Sequence, residues 1–286
     1  MIFSPVRHSY PFSPFYPFFF PLMFQLTAPI CTNACLHGAY HRLTIDLGEL
    51  ATTAHPGQFV QVQIPNLEGH VLRRPFSICD VDGTILTLVY KVVGTGTEAL
   101  SNAMSGTPLN ILGPLGHGFT ALPNDRPAIL LGGGYGCAAM LFLAHQTVAQ
   151  GGRAPLVLLG ARTQADILLE EEFRKLGCQL GISTDDGSYG MPGRITVLLE
   201  AALKRTPDAW LAACGPKPML KAVATLAQQF PQSECEVSLD EIFCCGVGAC
   251  FGCVIKCKDE DAPQGWTYKR SCADGPVFPA NNIYWE

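Results

Sequence analysis

Four cysteines near the C-terminus carry the spacing of a metal centre. Cys245 and Cys250 are separated by four residues, Cys250 and Cys253 by two, and Cys272 follows after eighteen more. The pattern C-x4-C-x2-C…C is that of a plant-type [2Fe–2S] cluster, which needs four thiolates from one wrapped loop and one distant position. Gly246, Gly248, Ala249 and Gly252 make the loop small enough for backbone N–H groups to approach the sulfurs and tune their potential. Structural zinc is the competing chemistry, but zinc ribbons present two C-x2-C knuckles, and here the fourth cysteine stands alone. Cys244 would widen the first gap to five residues, and Cys257 lies four past Cys253, so both read as neutral packing cysteines.

A second constellation lies earlier. Arg74-Pro75-Phe76-Ser77 sits in a strand-like run, and Gly94-Thr95-Gly96-Thr97 follows seventeen residues on, directly before a helix-like segment. Alone, the first is an ordinary edge strand with Pro75 outside the ladder. Together they suggest a flavin site: free N–H donors at a helix start face a phosphate, Arg74 supplies a bidentate contact, and Ser77 lies within reach of the flavin ring.

A third is Gly132-Gly133-Gly134-Tyr135-Gly136 between a buried strand and a helix, a turn whose glycines permit close approach of a pyrophosphate or simply form a loop. The acidic residue expected about 20 positions on is missing. The next strand ends in Gly160-Ala161-Arg162 instead, and Arg162 suits a 2′-phosphate. Cys214-Gly215 ends a later strand on the ligand side of such a sheet, where Cys214 either packs near a nicotinamide or fills space.

These motifs need elements to hold them. The 286 residues allow about two domains, and 48% hydrophobic against 15% charged residues ensures a sizeable core. A net charge of -5 gives no footprint for nucleic acid. Thirteen cysteines, odd in number and clustered at one end, favour a reduced cytoplasmic chain with a metal centre over a disulfide framework. Residues 1–22 are Phe- and Pro-rich, and their prolines break every apolar run well short of the ~18 residues of a membrane span. They read as a disordered extension or the product of a misassigned start codon.

Residues 23–124 then read as a small antiparallel barrel of short strands interrupted by one helix, "TEALSNAM", with Thr97 as its N-cap. Residues 125–231 alternate strands and helices, the pattern of a parallel α/β sheet. Residues 232–286 form the cysteine-rich tail, where regularity lapses.

In this order the motifs resemble the electron transfer subunits of NAD-dependent dihydroorotate dehydrogenase, in the ferredoxin reductase-like superfamily. The resemblance runs from about Met23 to the C-terminus. It rests also on "YKVVGTGT", "DDGSYG" and "YKRSCADGPVF", while Ala139 stands where proline is usual. It implies an antiparallel β-barrel FAD domain, an α/β NAD-binding domain and a small [2Fe–2S] domain. Implied FAD contacts are Arg74, Pro75, Phe76, Ser77, Tyr90, Lys91, Val92, Gly94, Gly96 and Thr97. For NAD, rather than NADP, they are Gly132, Gly133, Gly134, Gly136, Cys214 and Gly215; Cys245, Cys250, Cys253 and Cys272 are the cluster ligands.

Hydride from NADH brings two electrons and a [2Fe–2S] cluster takes one, so a flavin must stand between them. No eight-fold βα pattern for a dihydroorotate site is present, and such a barrel needs about 250 residues. The resemblance therefore implies an FMN-bearing catalytic partner, assembled as a heterotetramer with two copies of each chain, serving pyrimidine biosynthesis. Competing roles are a reductase subunit of a hydrogenase, a sulfide-linked reductase or a ferredoxin-dependent transhydrogenase, and a zinc module that docks a partner.

Overall fold

The computed structural model describes residues 24–65, 67 and 72–285. The expectation for residues 1–22 lies outside the described residues.

Six antiparallel strands close a barrel in the order β1-β2-β5-β4-β3-β6. They are β1 Phe24–His37, β2 Tyr40–Asp46, β3 Phe59–Gln63, β4 Arg74–Asp82, β5 Ile85–Lys91 and β6 Pro108–Leu115. Five correspond to β-branched runs in the sequence; β1 is hidden there by Pro29 and polar residues. It serves two neighbours in succession, its first half pairing with β6 and its second with β2, with a register shift between Ile30 and Thr32. Alternation on β3 sends Val60 and Val62 into the barrel core and leaves Phe59 and Gln61 on the outer face.

The barrel helix α1 spans Thr95–Ser101, and its N-cap is Gly94 rather than Thr97. Thr97 lies three residues into the motif, where its Oγ1 accepts from the N–H groups of Val93 (2.9 Å) and Gly94 (3.2 Å). The threonine closes the turn from inside, in the manner of the back-bonding half of a capping box.

The second unit is a seven-stranded sheet in the order β10-β9-β8-β7-β11-β12-β15. Its strands β7 Ala128–Gly133, β8 Leu156–Ala161, β9 Gln179–Thr184, β10 Met191–Pro192 and β11 Trp210–Cys214 are parallel, with helices α2 Cys137–Ala149, α3 Glu170–Lys175, α4 Ile195–Leu203 and α5 Lys217–Ala227. The helix expected from "ADILLEEEFRKLG" is shorter than its pattern. A 3₁₀ turn, Gln164–Asp166, comes first, and buried Leu169 then adopts φ 61°, which delays α3.

Regularity does not lapse at Pro231. β12 Glu234–Ser238 extends the sheet parallel to β11, and β15 Val277–Pro279 returns antiparallel to β12. Between them lie the cysteine loop, the hairpin β13 Val254–Lys258 and β14 Trp266–Arg270, and the short α6 Ser271–Asp274. The tail is thus stitched to the α/β sheet at both ends. Cys257 is buried on β13 within the apolar core that Val237 and Phe278 share.

The barrel and the α/β unit meet along a seam. Phe142 of α2 enters the barrel core. Around it, Asp166 accepts from the Tyr40 hydroxyl (2.6 Å) and the Lys91 ammonium (2.9 Å), Asp80 meets His145 Nδ1 (2.6 Å), and Arg42 pairs with Glu172. Among the described residues, no helix is long and apolar enough to cross a membrane.

Candidate redox centre

The cysteine loop has almost no regular secondary structure, and its sulfurs organise it. The N–H of Val247 points at Cys245 Sγ (3.5 Å), that of Gly252 at Cys250 Sγ (3.5 Å), and that of Gly248 at Cys272 Sγ (3.2 Å). The N–H of Cys272 points at Cys253 Sγ (3.4 Å). Gly246 and Gly248 hold positive φ angles of 72° and 77°, which turn these amides inward. Among the described residues no three ligand side chains gather round a single point. Cys245 has Cys250 beside it and Cys272 has Cys253 beside it, so the thiols neighbour one another in two pairs. Two pairs suit two irons.

The electrostatics follow the backbone. Burial pushes the Cys245 thiol up, but the amides of Val247, Cys250 and Ala249 outweigh it and bring the thiol down to about 7. Cys272 is pushed up to about 12, first by burial and then by Cys253 beside it. Cys250 is exposed, whereas Cys253 and Cys272 are buried. Arg270 clamps the loop, donating to the Gly248 carbonyl (3.1 Å) and to both oxygens of Asp274.

The loop lies on the outer face of the barrel. Phe243 packs on Phe59 with ring centroids 4.6 Å apart, and Phe59, Leu115, Cys253 and Cys272 share one apolar cluster. Phe59 stands directly across the ladder from Ser77, and Gln61 across from Pro75. Sequence-distant thiols and the Arg74–Ser77 strand are therefore neighbours.

Arg74 also reaches α1. A Cβ on Gly96 would lie 3.0 Å from Arg74 Nε, so the guanidinium and the helix start face the same space. Pro75 and Ser77 remain half-exposed on that outer face, while Phe76 turns inward against Tyr90. The Tyr90 ring is inside the barrel, its hydroxyl donating to Asn33 Oδ1 (3.0 Å), and burial pushes it up to about 12. Lys91 points to the seam with Asp166, and Val92 is half-buried. Tyr90 and Lys91 thus leave only their backbone to a ligand on the outer face.

At the sheet, Gly132, Gly133, Gly134 and Gly136 converge with Cys214 and Gly215 at the C-terminal ends of β7 and β11. A Cβ on Gly136 would lie 2.5 Å from the Cys214 carbonyl oxygen, and one on Gly215 2.9 Å from Gly133 Cα. Gly134 has φ 54° and open space where a side chain would stand. The turn packs against β5, beside Lys91. Burial pushes Cys214 up to about 12, which keeps it a neutral thiol.

A model of the iron–sulfur cluster binding domain of dihydroorotate dehydrogenase B matches residues 240–284, and one of the oxidoreductase NAD-binding domain matches residues 130–225. The dihydroorotate dehydrogenase B (NAD(+)) electron transfer subunit of Geobacillus kaustophilus is 40% identical over 247 residues, covering 85% of this chain and 92% of that one. This chain belongs to that family. The corresponding subunit of Caldanaerobacter subterraneus subsp. tengcongensis is 37% identical and covers 92% of this chain and 99% of its own.

Among solved structures, that of an NADH-dependent reduced ferredoxin-NADP oxidoreductase matches 90% of both chains at 28% identity and a TM-score of 0.76. The expected fold class, a barrel followed by an α/β nucleotide-binding unit and an iron–sulfur domain, holds for this electron transfer subunit.

Three contributors escaped the sequence reading. Asn33 donates to the Leu100 and Ala103 carbonyls (2.8 and 2.9 Å), tying the end of α1 to Tyr90. Arg270 carries a faint signal, its acidic partner four residues on. Gln61, fully buried on a barrel strand, carries none.

Proposed function

We propose that this chain carries electrons between an FMN-containing partner that oxidises dihydroorotate and NAD+, by way of a [2Fe–2S] cluster and FAD. Cys245, Cys250, Cys253 and Cys272 hold the cluster. Arg74, with the backbone of Gly94, Gly96 and Thr97, binds the FAD pyrophosphate, and Pro75, Phe76, Ser77 and the Tyr90–Val92 segment shape the flavin site. Gly132, Gly133, Gly134, Gly136, Cys214 and Gly215 receive NAD(H). When bound, the flavin exchanges two electrons with nicotinamide and single electrons with the cluster.

The observation that carries this reading is the Phe59 junction. One side chain touches the cluster-loop core and stands across the ladder from Ser77. The protein's part is to hold the sites close, orient them and exclude water. Inward amides at Cys245 favour the thiolate form that metal ligation requires, whereas burial and Cys253 hold Cys272 as the thiol until metal displaces its proton. The neutral, buried Cys214 adds no charge where a nicotinamide would lie.

Exposed apolar side chains ring the cysteine loop: Ile242, Val247, Phe251 and Val254. Exposed apolar side chains concentrated around one loop suit a docking partner. The assembly follows the family: two catalytic and two electron transfer chains in the cytoplasm. A ferredoxin-dependent transhydrogenase role is the second reading, favoured by the 28% identical solved neighbour, but the dihydroorotate dehydrogenase subunits are nearer at 40%.

The test is reconstitution. The pure chain, purified anaerobically, should show flavin absorbance and a reduced-cluster EPR signal, and should oxidise NADH with artificial acceptors. It should turn over dihydroorotate only with its catalytic partner. Dihydroorotate oxidation by the chain alone, or a colourless chain with stoichiometric zinc, overturns the proposal.

A further inference from the structure

Gln61 is fully buried, yet among the described residues neither its Nε2 nor its Oε1 has a hydrogen-bond partner. A buried carboxamide without partners is costly, so such an orphan marks a position completed by something bound. Alternation on β3 rules out the barrel interior as its destination. Val60 and Val62 face inward, and Gln61 faces outward with Phe59.

What lies there is the cysteine loop. A Cβ on Gly246 would fall 2.6 Å from both Cγ and Nε2 of Gln61, so the side chain packs closely against the backbone that directly follows Cys245. Gly246, with φ 72°, is the residue type that permits this approach. On the far side Gln61 pairs across the ladder with Pro75. One orphaned amide thus lies between the loop and the strand that bears the flavin motif.

We propose that Gln61 donates an Nε2 hydrogen to the sulfur edge of the [2Fe–2S] cluster and sets its reduction potential. The inference rests on the cluster assignment above. Thiolate and sulfide sulfurs only accept, so the end of the carboxamide toward them must be the N–H end. A donor at sulfur stabilises the more negative, reduced cluster and raises its potential. Gln61 is distinct from the loop's own amides: it comes from the barrel, so it binds the cluster's energetics to the strand beside the flavin.

The test uses the full chain with its cluster and FAD, comparing wild type with Gln61→Leu and Gln61→Met. EPR-monitored redox titration should show the variant cluster harder to reduce, by about tenfold in equilibrium constant or about 59 mV for one electron, with the flavin midpoint unmoved. In wild type, isotope-labelled glutamine should give the reduced cluster a nitrogen hyperfine coupling that Gln61→Met removes. That measurement needs no folding-tolerant Leu variant. A shift of the flavin midpoint alone would assign the amide to FAD and overturn the proposal. Unchanged midpoints with no coupling would mean a bound water completes Gln61, which also overturns it. Absence of any cluster signal in wild type fails the underlying reading instead, so the two failures are separable.

Discussion

The cysteine loop and the nucleotide turn are both glycine-rich connections that serve a ligand, but they are built on opposite plans. The turn at Gly132–Gly136 sits between a buried strand and the largely buried helix α2, and neighbouring backbone leaves no room for a side chain at Gly132 or Gly136. The loop from Asp240 to Cys253 has no strand or helix, and its internal order runs through N–H groups aimed at sulfur. Packing shapes the turn before any nucleotide arrives. On the proposed ligand set, the loop would be shaped by what its sulfurs hold, and metal binding there would be part of folding.

The sharpest way to break that contrast is to remove a ligand. Cys272→Ser should bring the cluster EPR signal to background, and limited proteolysis should then cut within residues 240–253 while FAD stays bound. Retention of a full-strength signal would mean that the ligand set is wrong. Next in size is Gly136→Ala. Its Cβ would meet the Cys214 carbonyl at 2.5 Å, and backbone cannot swing aside as a side chain can. Overpacking of this kind costs about 1–3 kcal/mol, seen as a lowered thermal midpoint and slower flavin reduction by NADH. The cluster signal should persist, because the turn and the loop are ordered by different means.

That difference also decides what the sequence could reveal. Periodicity reports packing, so strands such as Ala128–Gly133 and helices such as Cys137–Ala149 were readable, and cysteine spacing reports ligation. Elements whose order depends on distant pairing were not. β12 follows the apparent end of the α/β pattern, and β15 returns to the sheet only after the whole cysteine region. Each is too short to announce its partner. Arg74 and Gly96 were legible as types, but their meeting is a product of barrel closure. Tyr90 and Lys91 were legible as a motif, yet one side chain turns into the barrel and the other to Asp166. Gln61 looks in sequence like any polar residue on a half-exposed strand.

The seam between barrel and α/β unit offers a smaller effect and one with a pH sign. The Tyr40 hydroxyl, and then the Lys91 ammonium, hold Asp166 below the usual carboxylate range. A depressed carboxylate contributes stability that is full above its unfolded value and lost as pH falls through the folded one. Lys91 is about a third exposed, so screening limits the pair to about 1 kcal/mol or less. Asp166→Asn should therefore lower the melting midpoint slightly at neutral pH, and the gap from wild type should close below pH ~4. A gap that widens in acid would contradict the assigned partners.

The smallest expected effect tests the register of the loop most finely. Cys244 Sγ is close to the ligands: a Cβ on Gly252 would meet it at 3.5 Å and Cys250 Sγ at 3.6 Å. Proximity alone therefore does not choose between Cys244 and Cys245. The amides favour Cys245, whose sulfur receives the Val247 N–H at 3.5 Å. Cys244→Ser should leave the EPR spin count and line shape unchanged, whereas Cys245→Ser should remove them. If Cys245→Ser instead kept a shifted signal that vanished only on adding Cys244→Ser, the loop would be able to slide one residue to satisfy its iron. Such sliding would be the strongest demonstration that bound metal, rather than packing, decides this part of the fold.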